Sequence, residues 1–331
     1  MRTARINITK FFTQPNLANI VISVVVGAVL FFLPSIIHNG PTENNPVQML
    51  FMKHFVLWSL PAMWGNVLGF IAITGMMTWM MFLCNQLQII PVRSSMPLTV
   101  GLVMAGCIGY IQPFDESYIA AMFFILALEQ LIKMYHFEAQ VSAAYNITLL
   151  LSAAALFEPT YIWLAVLFVM GMIIFRVITS RVFLSVLLGI ATLSAIVGCM
   201  FWLCDSMEIL TNYIHRFIEI TLWHDMALTK GDIVISAFIG ILVLFTFINY
   251  YFSPSNYKLN TRLNFAFINW GFWLSMIWVV VFGAEFAQLI AIPGLFAVMC
   301  LSLYFSTNQS KVANVVFVVW IIVFVAYRFV F

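Results

Sequence analysis

The residues best suited to chemistry lie in the longest polar interval of the chain, residues 205–232. His215, Arg216 and Glu219 share one face of a predicted helix there. Glu219 stands one turn from His215, so its carboxylate could orient the imidazole for proton transfer. Arg216 carries the fork of donors that binds phosphate or diphosphate. The alternative is structural, because a helix on a membrane surface needs such residues for solvation alone.

Four acids elsewhere in the chain are further candidates for a general base, namely Glu43, Asp115, Glu116 and Glu158. Each lies in or beside a short polar interval between apolar segments, and such turns could bring them close to Arg216. Asp115 and Glu116 also stand at a predicted helix start, where the helix dipole favours carboxylates whatever the function. Helix capping is therefore the alternative for this pair.

The elements that must position these residues are membrane helices. The chain is 64% hydrophobic and 8% charged, whereas soluble domains are about half apolar and about a quarter charged. This composition predicts an integral membrane protein whose partners are membrane lipids, and it argues against nucleic acid. The five cysteines lie in or beside apolar runs without a Cys-x-x-Cys pair, which argues against a metal site. No signature identifies a cofactor.

The pattern predicts an all-α fold, a polytopic transmembrane bundle of about eleven spans that forms one integral membrane domain over residues 1–331. The predicted spans are 17–37, one within 55–84, 97–112, 118–132, 141–157, 161–175, 182–204, 233–252, 265–284, 289–305 and 314–331. The first is too long for a signal-peptide core. Segment 55–84 is either one span or an interfacial piece, residues 55–64, followed by a span.

An amphipathic helix is predicted over residues 207–222, inside a polar segment of about 205–231. Its polar residues recur at helical spacing, and Leu210, Tyr213 and Phe217 occupy the opposite face. A spanning helix would not tolerate so many charges. The segment is therefore expected to lie along the outer membrane interface.

The cations predict the orientation. With a cytoplasmic N-terminus and eleven spans, ten cations fall on the cytoplasmic side and only Lys53, Arg216, Lys230 and Arg328 fall outside. The predicted location is a bacterial inner membrane. Nearly all acids fall on the outer side, either as solvated loop residues or as parts of one converging site.

Two kinds of polar residue lie within the spans. Glu129 precedes Lys133 by one helical turn, which predicts an ion pair at the membrane edge or, alternatively, a functional intramembrane acid. Four asparagines are predicted to form hydrogen bonds between helices, namely Asn66, Asn146, Asn249 and Asn269.

The order of short motifs in the central stretch resembles an uncharacterised family of bacterial multi-pass inner-membrane proteins. The motifs are Pro113-Phe114-Asp115-Glu116, Glu129-Gln130, Leu156-Phe157-Glu158-Pro159, and Phe175-Arg176 followed by Arg181. More loosely, the alternation of short spans is similar to the membrane core of the GT-C glycosyltransferases. That similarity implies transfer of a sugar from a polyprenyl-phosphate donor at the outer face. The superfamily places a catalytic Asp in or near the first outer loop, and the acid in this loop is Glu43.

Three functions therefore remain open: a transferase that uses a polyprenyl- or lipid-linked donor, a transporter or flippase, and a non-catalytic membrane scaffold. A transporter is expected to contain broken helices at membrane depth. Pro293-Gly294 inside the tenth predicted span is a possible break of this kind.

Overall fold

The computed structural model describes residues 8–37, 62–107, 116–136, 140–205, 207–208, 210–211, 230–252, 259–281, 291–308 and 310–330. In these residues the regular structure is entirely helical, as the composition predicts. The helices are α1 (Ile8–Thr13), α2 (Leu17–Ile37), α3 (Ala62–Gln86), α4 (Met96–Cys107), α5 (Glu116–His136), α6 (Gln140–Phe157), a 3-10 helix (Pro159–Leu164), α7 (Ala165–Ile174), α8 (Ser180–Leu203), α9 (Lys230–Tyr251), α10 (Leu259–Val281), α11 (Ala291–Thr307) and α12 (Lys311–Val330).

Six of these helices are long and apolar enough to cross a membrane, namely α3, α5, α6, α8, α9 and α10. Five shorter apolar helices accompany them, in α2, α4, the 3-10 helix with α7, α11 and α12. This bundle fits an integral membrane protein, because about 20 apolar residues span the hydrocarbon core as a helix.

Contacts between helix ends show how the helices are aligned. The rings of Tyr135 and Phe175 lie 5.5 Å apart, so α5 and α7 end at the same side of the bundle. The amide of Thr9 donates to Asn314 Oδ1 at 3.2 Å, which places α1 beside the start of α12. Together with the connections between consecutive elements, these contacts fit spanning helices that alternate in direction.

With this arrangement, most of the described cations lie at one side of the bundle and most of the described carboxylates lie at the other. One side of the bundle, the basic end, carries seven of the nine described cations: Lys10, Arg93, Lys133, Arg176, Arg181, Arg262 and Lys311. The opposite side, the acidic end, carries Glu116, Glu158, Asp205, Glu208 and Asp232, together with Lys230 and Arg328.

Two helices form the centre of the bundle. All twelve residues of α4 are buried, as is nearly all of α11. The surrounding helices expose large apolar side chains, including Val25, Phe82 and Leu184. An apolar surface of this extent is typical of a protein that faces lipid.

A strap formed by residues 8–16 lies across the basic end of α4, α11 and α12. The Ser95 hydroxyl donates to the carbonyl of Phe12 at 2.7 Å and to that of Gln14 at 3.1 Å. The ring of Phe12 lies 6.0 Å from that of Phe317. Side-chain hydrogen bonds and apolar packing therefore hold this short segment against the bundle.

Small residues allow the closest approaches between helices, which is common in membrane proteins. A Cβ added at Gly271 of α10 would lie 2.6 Å from the ring of Phe296 in α11. One added at Gly189 of α8 would lie 2.9 Å from Thr148 Cβ in α6. These glycines set the spacing of their helix pairs.

Candidate functional site

Glu129 of α5 is buried within the bundle, with 8% of its surface exposed. Its carboxylate forms an ion pair with Lys133, one turn along the same helix. The indole Nε1 of Trp79 in α3 donates to Glu129 Oε2 at 2.9 Å. The predicted ion pair is therefore confirmed, and a second helix contributes a donor that local sequence spacing did not indicate.

The depth of this cluster follows from its position along the helices. Trp79 lies seven residues before the last residue of α3, Gln86, and Glu129 lies seven before the last residue of α5, His136. At 1.5 Å per residue, both side chains start about 10 Å from the basic end. A carboxylate at this depth requires a countercharge and hydrogen-bond donors, which Lys133 and Trp79 supply.

Glu158 is the second buried carboxylate, with 7% exposure, and it lies where a helix is interrupted. Its backbone is extended, with φ −134° and ψ 103°, between α6 and the 3-10 helix. Pro159 causes the interruption, because a proline disfavours helical geometry in the preceding residue. The Thr160 hydroxyl donates to Glu158 Oε1 at 3.0 Å. Local sequence therefore places a carboxylate at a fixed break in the bundle.

The break lies below the acidic end rather than on its surface. The ring of Phe157 stacks on that of Phe123 at 5.9 Å, and Phe123 is seven residues into α5. Seven helical residues correspond to about 10 Å of depth. Glu158 directly follows Phe157, so its backbone lies at a similar depth.

Aromatic side chains surround this break. The ring of the buried Tyr161 contacts those of Phe124 and Trp278, with centroids 6.2 and 5.8 Å away. The indole of Trp278 in α10 donates to the carbonyl of Thr160 at 3.2 Å. The Glu158 site, defined here as Glu158, Thr160, Tyr161 and Trp278, thus combines a carboxylate with an aromatic wall.

At the basic end, hydroxyl and amide groups join distant parts of the chain. The hydroxyls of Ser94 and Ser306 lie 2.9 Å apart, and those of Ser23 and Thr99 lie 2.7 Å apart. Asn85 Oδ1 accepts from the Ser94 amide at 2.9 Å. The bonds of Ser94 fix the connection between α3 and α4, and the Ser23–Thr99 bond joins α2 to α4, which indicates a structural role.

The other predicted site residues are placed only in part. Glu116 is the first residue of α5 at the acidic end. Five candidates lie outside the described residues, namely Glu43, Asp115, His215, Arg216 and Glu219. Most of the predicted interfacial helix lies outside them as well. Two hydrogen bonds from the Thr211 hydroxyl, to the carbonyls of Met207 and Glu208, show helical geometry at its start.

The predicted asparagine bonds between helices are not seen where they were expected. Asn249 Nδ2 donates to the carbonyl of Phe245 in its own helix at 2.9 Å, and Asn146 is exposed. The asparagines that join separate elements are instead Asn19, Asn85 and Asn314, at the ends of helices. Each lies where an apolar run begins or ends, a position from which an amide side chain reaches a neighbouring element.

The cysteines are free thiols, with Cys84, Cys107 and Cys300 buried in the bundle. Within the described part of the chain, no group of three or more His, Cys, Asp or Glu residues could hold a metal ion. Glu158 and Glu129 are the two buried carboxylates of that part.

Comparison with known proteins found no matching family model, and no curated protein or solved structure matches the chain.

Proposed function

We propose that the protein is an eleven-span protein of the bacterial inner membrane that transfers a sugar from a polyprenyl- or lipid-linked donor at its outer side. Its N-terminus and basic end face the cytoplasm in this proposal. The observation that carries the transfer function is Glu158, a carboxylate buried at a proline-induced break about 10 Å below the acidic end.

The number and the direction of the spans are supported by the helices and by their charges. The six long apolar helices and the five shorter ones together correspond to the eleven predicted crossings. Seven of the nine described cations lie at the basic end. Cytoplasmic loops of membrane proteins are enriched in Lys and Arg, so this end is assigned to the cytoplasm.

The proposed reaction uses Glu158 as a general base. The carboxylate accepts the proton of an acceptor hydroxyl while the hydroxyl oxygen forms a bond to the anomeric carbon of the donor sugar. The bond from that carbon to the lipid phosphate breaks, and the phosphate leaves with the electron pair. The hydroxyl of Thr160 donates to one carboxylate oxygen and holds the group in place.

Arg216 is proposed to bind the donor phosphate, because few other cations fall on the outer side. Glu43, Asp115, Glu116, His215 and Glu219 remain secondary candidates for proton transfer. Whichever acid is the general base, it must lie close to Arg216, since one substrate must contact both the base and the residue that binds the phosphate.

The transfer function is tested with purified protein in liposomes that contain a radiolabelled polyprenyl-phosphate sugar and a soluble acceptor. Glu158→Gln should remove transfer, because the amide cannot accept the proton. The matched control is Glu208→Gln, an exposed acid of the same end, which should retain it. Equal transfer by both variants would exclude Glu158 as the base.

A second candidate is translocation of the lipid-linked donor, favoured by the same break in the helix. Discontinuous helices at membrane depth are a feature of transporters. In the liposome experiment, movement of the labelled lipid between leaflets without transfer would favour translocation. If the protein supports neither lipid movement nor sugar transfer, the scaffold function is favoured.

A further inference from the structure

In α10, α11 and α12, three fully buried side chains carry polar atoms without a protein hydrogen-bond partner. The atoms are Oδ1 and Nδ2 of Asn264, Oγ of Ser302 and Nε1 of Trp320. Each of the three residues is 0% exposed. They lie on α10, α11 and α12, and α11 contacts both of the other helices.

Contacts at the basic end show that two of these groups occupy one level. The hydroxyl of Thr261 donates to the carbonyl of Gln88 at 3.4 Å, and the hydroxyls of Ser306 and Ser94 lie 2.9 Å apart. Gln88 and Ser94 both belong to the connection between α3 and α4. Asn264 and Ser302 each lie one turn further into the bundle than these contacts, a depth of about 5 Å.

Trp320 belongs to the same level. The rings of Phe305 and Phe317 lie 5.0 Å apart, next to the Ser306 contact. Trp320 lies one turn further along α12 than Phe317, and its ring is 6.3 Å from that of Phe305. The three polar groups therefore form a buried layer, here called the polar layer, within one turn of each other in depth.

Buried polar atoms are almost always hydrogen-bonded, and each one without a partner costs about 1–3 kcal/mol. The polar layer holds four such atoms in three neighbouring helices. The amide and hydroxyl groups can donate and accept, and the indole nitrogen can only donate. A guest that satisfies all of them must both accept and donate hydrogen bonds, and a neutral guest avoids the cost of burying a charge.

We propose that the polar layer is an internal binding site for small hydroxyl groups, supplied by water or by an alcohol. A hydroxyl bound at Trp320 accepts from the indole and donates to the Ser302 oxygen. A second, at Asn264, donates to Oδ1 and accepts from Nδ2. Polar cavities of this kind typically give each buried water two to four hydrogen bonds.

The test is a structure of the full-length protein in lipid nanodiscs at a resolution that shows ordered water, determined with and without glycerol. Ordered density is expected within hydrogen-bond distance of Asn264 and of Trp320 Nε1 in both samples. If water occupies the site, both samples show the same isolated peaks of density. If the site binds alcohols, the sample with glycerol shows an extended density feature that the other sample lacks. Direct bonds from these groups to protein atoms, with no guest density, would overturn the proposal.

Variants provide the second measurement. Asn264→Leu keeps the number and branching of the side-chain heavy atoms but removes both polar amide atoms, so the density beside residue 264 should be lost. Asn249→Leu is the matched control, because that amide bonds within its own helix, and it should leave the polar layer unchanged. Density that persists in Asn264→Leu would contradict binding through the amide.

Discussion

The indole Nε1 of Trp79 lies 2.9 Å from Glu129 Oε2, and this bond joins α3 to α5 about 10 Å inside the basic end. Lys133 completes the cluster from the next turn of α5. A carboxylate in an apolar bundle is tolerated only where donors and a countercharge satisfy it. The cluster therefore stabilises the packing of two helices.

Replacing Trp79 by Phe should destabilise the protein by about 1 kcal/mol, since the donor is lost and the carboxylate keeps only one partner of the two. The control is Trp64→Phe in the same helix, where the ring is 59% exposed. Thermal unfolding in detergent measures both. Equal midpoints for the two variants would show that the Trp79 bond contributes nothing.

Gly271→Ala should destabilise the α10–α11 pair by about 1–3 kcal/mol, because the new methyl would overlap the ring of Phe296. Gly240→Ala in α9 is the matched control, since no atom lies within 4 Å of its Cβ position. Alanine is the better helix former, so the control should be neutral or slightly stabilising. A loss in both variants would argue against the described helix contact.

Ser95→Ala should loosen the strap, because its hydroxyl bonds to Phe12 and Gln14 are removed. Each such bond contributes about 1 kcal/mol. Limited proteolysis of inside-out vesicles should then cleave before residue 17 faster than in the parent protein. Ser180→Ala, an exposed serine at the same end, should leave the cleavage rate unchanged, and an equal acceleration in both would contradict the role of Ser95.

Local sequence spacing predicted much of the fold. Long apolar runs predicted the helices, since their length and composition suffice to indicate membrane spans. The Glu129–Lys133 pair was predictable because its partners stand one turn apart on one helix. Pro159 marked the end of α6 in the same local way.

Tertiary contacts could not be predicted in this manner. Trp79 lies 50 residues from Glu129, and nothing in its own neighbourhood distinguishes it from tryptophans that face lipid. The central position of α4 and α11 could not be predicted either. A helix that is apolar on all sides has the same sequence pattern whether protein or lipid surrounds it. The burial of Asn264 is a consequence of that packing.

Glu158 combines a local feature that the sequence predicts with a tertiary environment that it does not predict. The sequence indicates an acid before a proline at a turn, which is usually a solvated position. At this break the rings of Tyr161 and Trp278, contributed by different elements, lie 5.8 Å apart, and Glu158 is buried. The sequence therefore predicted Glu158 as a candidate residue, but it did not predict that the side chain is buried.

The orientation of the chain decides whether Glu158 can meet an outer donor, and reporter fusions test it most directly. A fusion after Lys258 follows α9 and should report a cytoplasmic position, whereas one after Thr229 precedes α9 and should report an outer position. This result would place the basic end in the cytoplasm and Glu158 toward the outer side. The reverse result at both sites would contradict the proposed topology and, with it, transfer at the outer face.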